Sequence, residues 1–295
     1  MRNSEEAQGT RSGLRGHIPE ILLVCALLAG IGIMLYPAVS DWWNSLHQSQ
    51  AIATYEQAVA NNSAEQNKKL WKQAVAYNKS LPHNNGRFTL TESERKEYEG
   101  LLDVTGTGIM GYVEIPKINT RLAIYHGTDT EVLQVGVGHI PGSSLPVGGK
   151  GTHCVISGHR GLPNARLFTD LDQLAEGDVF TLSVLGKTLT YQVDQIRVVL
   201  PDQLDDLAIE NDKDYCTLVT CTPYGVNSHR LLVRGHRIPN QGLLATDGDV
   251  AQVSPLIAAA VVTALVFAIL SAVRAIRNRL SNKEIEAWAE REGRK

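Results

Sequence analysis

Cys221 closes the run Thr217-Leu218-Val219-Thr220-Cys221, in which every residue before the thiol is β-branched or apolar. Such a run reads as a buried strand that delivers the thiol to the strand's end. Thr222-Pro223-Tyr224-Gly225-Val226-Asn227 then reads as a loop, because proline has no N–H for a ladder and glycine and asparagine favour turns. Leu231-Leu232-Val233 is expected to return antiparallel and to bring Arg230 beside the sulfur. A thiol at a strand end with a fixed cation nearby suits a nucleophile with an oxyanion partner. A lone cysteine on an apolar run is otherwise a core residue, so the companions decide.

A nucleophilic cysteine works with a histidine, and the chain has nine. Only His159 combines a preceding strand (Cys154 to Ser157) with a flexible glycine on each side, in Ser157-Gly158-His159-Arg160-Gly161. His139, after Gly136-Val137-Gly138, is the second candidate. His229 on a strand points away from Arg230. His126, His153 and His236 read as packing or surface residues. His153 and His159 are not at a zinc-ligand spacing, and the acidic residues between Asp170 and Asp178 lack the spacing of a calcium loop. No metal or cofactor is expected.

Several elements must hold these residues. Ile21 to Val39 and Pro255 to Val273 carry no charged side chain, and each is long enough, at roughly 28 Å, to cross a bilayer as a helix. Arg2, Arg11 and Arg15 precede the first; Arg274, Arg277, Arg279 and Lys283 follow the second. The positive-inside rule then places both termini (1–20 and 274–295) in the cytoplasm and the middle outside, with Trp42 and Trp43 as an interfacial anchor. Cleavage of the first span as a signal peptide is the alternative, and it exports the middle all the same. Net charge is −3 and pI about 6.3, so no nucleic-acid footprint is visible. Four cysteines are too few for a disulfide scaffold.

Residues 41–81 read as an amphipathic helical pair, broken at Asn61-Asn62-Ser63, with Ser63 and Gln66 as a capping box for the second helix. Residues 82–108 read as a linker or an active-site cover. From 109 to 240 about eight short strands with glycine-rich turns imply a mainly β fold, a closed barrel or a sandwich. Residues 241–254 would link it to the second span.

The chain resembles the sortases, the transpeptidases that attach proteins to the surface of Gram-positive bacteria. The resemblance rests on Thr217-Leu218-Val219-Thr220-Cys221, on His159 in Ser-Gly-His-Arg-Gly and on Arg230. It is closest to class C, the pilin-polymerising branch, through Gly111-Tyr112-Val113-Glu114-Ile115-Pro116-Lys117-Ile118, Tyr125-His126-Gly127-Thr128, Ser144-Leu145-Pro146-Val147-Gly148-Gly149 and Gly161-Leu162-Pro163. It implies an eight-stranded β-barrel with two flanking membrane helices. It also implies that Cys221 attacks the Thr–Gly bond of a Leu-Pro-x-Thr-Gly-like sorting signal, that His159 serves as general acid and base, and that Arg230 holds the carbonyl or oxyanion. The partners implied are pilin subunits, one supplying the signal and the next an acceptor lysine. Thr220, beside the thiol, is a candidate substrate contact. A class A-type housekeeping sortase and a membrane-anchored cysteine hydrolase are the alternatives.

Class C sortases usually carry an Asp-Pro-aromatic lid between the helices and the barrel. Residues 82–108 contain no Asp-Pro, and Phe88, in Arg87-Phe88, is the candidate plug. Cys154 lies five residues before His159 and Cys216 five before Cys221. Parallel neighbouring strands would set these two cysteines side by side, as a disulfide or as a reduced buried pair.

Overall fold

The computed structural model describes residues 12–82 and 85–240, and beyond them Thr263, Val266, Phe267, Ile269, Leu270, Ser271 and Arg274, all helical. The chain divides into two units, Met1–Thr246 and Asp247–Lys295. The expected linker 241–254, second span 255–273 and basic tail 274–295 otherwise lie outside the described residues.

Eight strands close into a barrel in the order β1-β2-β3-β4-β7-β8-β6-β5. They are β1 Ile109–Ile115, β2 Thr120–His126, β3 Val137–His139, β4 Thr152–Ser157, β5 Val179–Val184, β6 Lys187–Val199, β7 Asp214–Thr222 and β8 His229–Ile238. β2 with β3 and β4 with β7 are parallel; the other pairs are antiparallel. Alternation along each strand puts one set of side chains inside, where Phe180 stacks on Tyr191 beside Val113, Ile156, Leu218 and Val233. A smaller patch outside the barrel joins Val155, Val219 and Leu232 to Leu207.

The expected number of strands is right, but its composition differs. Thr188–Val193 and Ile196–Leu200, read as two strands, form the single β6, with a register shift between Val193 and Gln195. The intervening Asp194 uses its carboxylate on Arg234, at 3.0 and 3.2 Å. A bulge breaks the period of two, so one strand presents the pattern of two. β3 was not anticipated: it has three residues, one of them Gly138, and follows Gly136, too short for alternation to show. Gly138 sits against the Gly127 backbone, where a Cβ would collide with the Gly127 carbonyl.

The N-terminal helices also differ in outline. α1 runs unbroken over Ser12–Asn61, joining the first apolar span to the first spacer helix. α2, Ala64–Ser80, begins with the expected capping box: Gln66 N–H donates to Ser63 Oγ, and Ser63 N–H donates to Gln66 Oε1. A 3₁₀ turn, Asn85–Phe88, and α3, Glu92–Glu99, follow.

α1 lies lengthwise along the barrel and is fastened at successive heights. Asp41 accepts from the Arg166 N–H at 2.9 Å, and the Asn44 amide donates to the Asn164 carbonyl. The Gln48 side chain donates to the Val135 carbonyl and accepts from Ala123 N–H. Tyr55 donates to the Met110 carbonyl at 3.0 Å and accepts from Leu185 N–H at 2.9 Å, and burial raises its phenol to about 12. Asn78 secures α2 in the same way, with one bond to and one from the Leu145 backbone.

Tyr55→Phe leaves a buried donor and a buried acceptor without their partner, so about 2 kcal/mol of stability is expected to go. Urea unfolding with an unchanged m-value checks it.

Candidate functional site

The thiol sits where two strand pairings meet. In β7–β8, Cys221 is directly opposite Arg230, and both side chains leave the outer face of the barrel. Directly opposed residues have Cβ atoms about 4.5–5.5 Å apart. The Arg230 guanidinium donates from one nitrogen to the Asn227 and His229 carbonyls, at 3.2 and 3.0 Å, which holds it at the mouth of the β7–β8 loop.

In β4–β7 the parallel register ends with Ser157 opposite Val219. Gly158 N–H then donates to the Val219 carbonyl at 3.0 Å, and the Thr220 hydroxyl donates to the Gly158 carbonyl at 2.8 Å. His159 comes next, so it leaves β4 at the level of Cys221, one residue before the end of β7. Gly158 has no alternative: a Cβ there would lie 2.7 Å from the Phe168 ring and 2.8 Å from Val137. Phe168 N–H donates to the His159 carbonyl at 3.1 Å. Arg160 pairs with Asp172 and donates to the Thr222 hydroxyl at 3.4 Å, tying the histidine loop to the residue after the thiol. Gly161, with φ at 77°, lies under the Tyr224 ring, where a Cβ would approach to 2.6 Å.

Thr220 therefore does something other than expected. It faces inward and is buried, with its hydroxyl on the Gly158 carbonyl, so its side chain supports the histidine turn. Its sequence position beside the thiol misleads, because neighbours on a strand face opposite ways.

The other candidate histidines named above are engaged elsewhere. His139 is fully buried, with one ring nitrogen on the Tyr98 hydroxyl and the other on the Ser144 carbonyl, each at 2.9 Å. His126 bridges the Gly108 and Leu101 carbonyls. His153 joins the Ala208 carbonyl to the Thr217 hydroxyl, and burial lowers its pKa to about 4. His236 lies 3.7 Å from Asp194, and His229 bonds Ser228.

Cys154 and Cys216 are directly paired in β4–β7, as the spacing predicts, and both are free thiols. Of the two arrangements expected, the structure shows the reduced buried pair. Burial pushes both thiols up. Hydrogen bonds from Cys216 and His139 outweigh it at Cys154, which falls to about 6, while Cys216 stays well above the usual range.

Phe88 lies on the outer patch formed by Val155, Val219 and Leu232, on the face from which Cys221 projects. Arg87 beside it is buried, its guanidinium 4.3 Å from the Phe88 ring and donating to the Leu207 carbonyl at 2.6 Å. Arg87 gave no signal in the sequence, since a charged residue in a polar stretch is ordinarily exposed. A cleft of about 510 Å³ between Trp71, Lys187, Asp214 and Arg237 belongs to the other end of the barrel. Asp214 begins β7 seven residues before Cys221, about 23 Å away at ~3.3 Å per residue.

Residues 113–238 match the Sortase domain family. Over its whole described length, the crystal structure of sortase C1 from Streptococcus agalactiae is 53% identical to this chain. It is covered at 100%, covers 65% of this chain and superposes with a TM-score of 0.62. The chain belongs to the sortase family. Sortase C from Streptococcus pneumoniae, in a structure described as informative on catalysis and pilin substrate specificity, is 44% identical, with 64% of this chain and 97% of that chain covered and a TM-score of 0.59. Sortase D of Bacillus subtilis is 32% identical over 131 residues, 43% of this chain; the chain spans 63% of that relative's length. Sortases are cysteine transpeptidases, and the Cys221–Arg230 register with the His159 turn lies inside the matched domain.

The buried His153 makes stability pH-dependent. Its folded pKa of about 4 lies below the ordinary 6.5. Stability is therefore full above pH 6.5 and falls as pH drops toward 4, because the unfolded chain takes up a proton that the folded one refuses. The loss from this group is on the order of 3 kcal/mol. His153→Gln is expected to flatten that limb, read as the difference in urea midpoint between pH 7 and 4.5.

Proposed function

We propose that this sortase is a class C enzyme that polymerises pilins, with Cys221 as nucleophile, His159 as general acid and base, and Arg230 as oxyanion partner. The direct pairing of Cys221 with Arg230, at the level where His159 leaves β4, carries the reading. The Cys221 sulfur attacks the threonine carbonyl of a Leu-Pro-x-Thr-Gly-like signal. The carbonyl oxygen takes up negative charge, and Arg230 offsets it. The C–N bond breaks, the glycine amine leaves with a proton from His159, and a thioester remains. A lysine amine of the next pilin then attacks, gives its proton back to His159 and expels the thiol, leaving an isopeptide bond. The high identity to sortase C structures along the helices and barrel supports class C over a housekeeping class A enzyme.

The domain plan follows from this reading. Residues 109–240 are the catalytic barrel, 82–108 the lid segment and 41–81 the helical spacer. α1 is apolar enough over its outer part to cross a membrane, which supports an anchor at 21–39. With a second anchor at 255–273, the barrel stands on the extracellular face of the cell membrane and both termini stay inside. Phe88 plugs the groove beside Cys221, with Arg87 replacing Asp-Pro as the lid's fastening.

Intact mass of the purified protein after exposure to a Leu-Pro-x-Thr-Gly peptide, with and without an added amine, tests the chemistry. A peptide-sized adduct absent from Cys221→Ala and discharged to the amine is expected, with Arg230→Ala slowing its formation by about 10²–10³-fold. Discharge only to free acid would mean a hydrolase. Phe88→Ala is expected to speed alkylation of Cys221 several-fold; unchanged reactivity would remove Phe88 from the lid.

A further inference from the structure

α1 sets the height of every part of the barrel above the membrane. Asp41 and Asn44 hold the backbone at Arg166 and Asn164, in the loop that begins with His159. Tyr55 holds Leu185 at the β5–β6 turn, at the opposite end of the barrel. Val59, one turn further along α1, is the side chain a Cβ on the adjacent Gly186 would meet. From residue 41 to residue 59 the helix rises about 27 Å at ~1.5 Å per residue, close to the length of β7 from Asp214 to Cys221. The barrel thus stands alongside α1 with its catalytic end toward the apolar stretch 21–39. Asn44 is about 8 Å along the helix from residue 39, little more than one headgroup layer of about 5–7 Å.

The surface of the barrel is sorted along the same axis. Its large exposed apolar residues, among those described, are Val135, Ile196, Val198, Leu200, Tyr224 and Val226. Val135 is fastened to α1 through Gln48, Val198 and Leu200 lie at the end of β6 beside Arg230, and Tyr224 and Val226 tip the loop after Cys221. Val226 is 70% exposed and Tyr224 61%. Trp42, Trp43 and Leu46 on α1 are exposed at the same height. The opposite end carries none of these apolar residues and has Lys150 and Asp212 paired in open solvent, while Lys117–Asp178 and Arg166–Asp170 pair at the catalytic end. Exposed apolar tips collected at one end mark a surface that meets something other than water, and that end is the one nearest the apolar stretch of α1.

We infer that the catalytic end of the barrel rests on the lipid surface, with the β7–β8 loop tip at Tyr224 and Val226 seated in the headgroup–acyl boundary. This rests on the reading of α1 as a membrane anchor. The aromatic Tyr224 suits the interface, as Trp42 and Trp43 do. Loop carbonyls stay hydrated there, which a deeper position would not allow. The site then opens sideways just above the bilayer, so it takes a scissile bond held close to the membrane in preference to one carried far out on a substrate.

The test uses the full chain in phosphatidylcholine nanodiscs, with Cys25→Ser and Cys221→Ser so that only the buried Cys154 and Cys216 remain. A bimane label is placed at Val226→Cys or, as the far-end control, at Glu65→Cys in the first turn of α2. A nitroxide on the lipid headgroup is the quencher. Quenching at position 226 at least three-fold stronger than at 65 is expected. Equal and weak quenching at both positions, in protein that stays in the bilayer through carbonate extraction, would overturn the orientation while leaving the anchor. Stronger quenching at 65 would invert it. Release of the protein by carbonate would remove the anchor and the inference together.

Discussion

The parallel pairing of β4 with β7 is the constraint on which the rest depends. A parallel pair cannot be made by a hairpin, so the two strands come from distant parts of the chain and the barrel must close to bring them together. Once paired from Thr152 with Asp214 to Ser157 with Val219, they end at one level. The histidine and the thiol then follow without any contact of their own. Gly158 and Thr220 extend the pairing by two hydrogen bonds beyond the last ladder residue, which takes the backbone to His159 in a defined position. Arg160 and Tyr224 close the two loops against each other from above.

The inner and outer faces of these same strands do different work. Inside, Cys154 and Cys216 share a small space with His139, and the ring of Tyr98 from α3 completes the network. Tyr98 also accepts from Gly127 N–H, so α3 is pinned to two strands by one hydroxyl. Outside, Val155, Val219 and Leu232 form an apolar patch on the face that carries Cys221, packed under Leu207, Phe88, Ile140, Val199 and Leu204. Burying this patch is favourable, yet it is small beside the core, so the segments packed on it are held less firmly than any strand. Stable interior contacts and weak exterior ones thus come from alternate residues of a single strand.

α1 adds direction to this chemistry. A helix docked along a barrel at four heights gives the domain one end close to the apolar stretch of that helix and one end far from it. The exposed apolar tips of the barrel gather mainly at the end where Asp41 and Asn44 dock, while exposed ion pairs occur at both ends, Arg166 with Asp170 at one and Lys150 with Asp212 at the other.

By itself the sequence determined the local pieces: the strand that ends in Cys221, the turn that carries His159 between two glycines, the capping box at Ser63 and the return strand bearing Arg230. Each is written in neighbouring residues, through side-chain alternation, turn chemistry or caps, and so is legible without a fold. The tertiary structure decided everything set by distance in space. β3 was too short to show a period, and β6 was split in appearance by its bulge at Asp194. Thr220 turned inward, Arg87 was buried under the Leu207 carbonyl, and Cys154 and Cys216 stayed reduced at inter-strand spacing. These outcomes depend on which backbone a side chain meets across the barrel. A single chain read in order does not carry that information, because the energy that fixes it comes from closing the sheet.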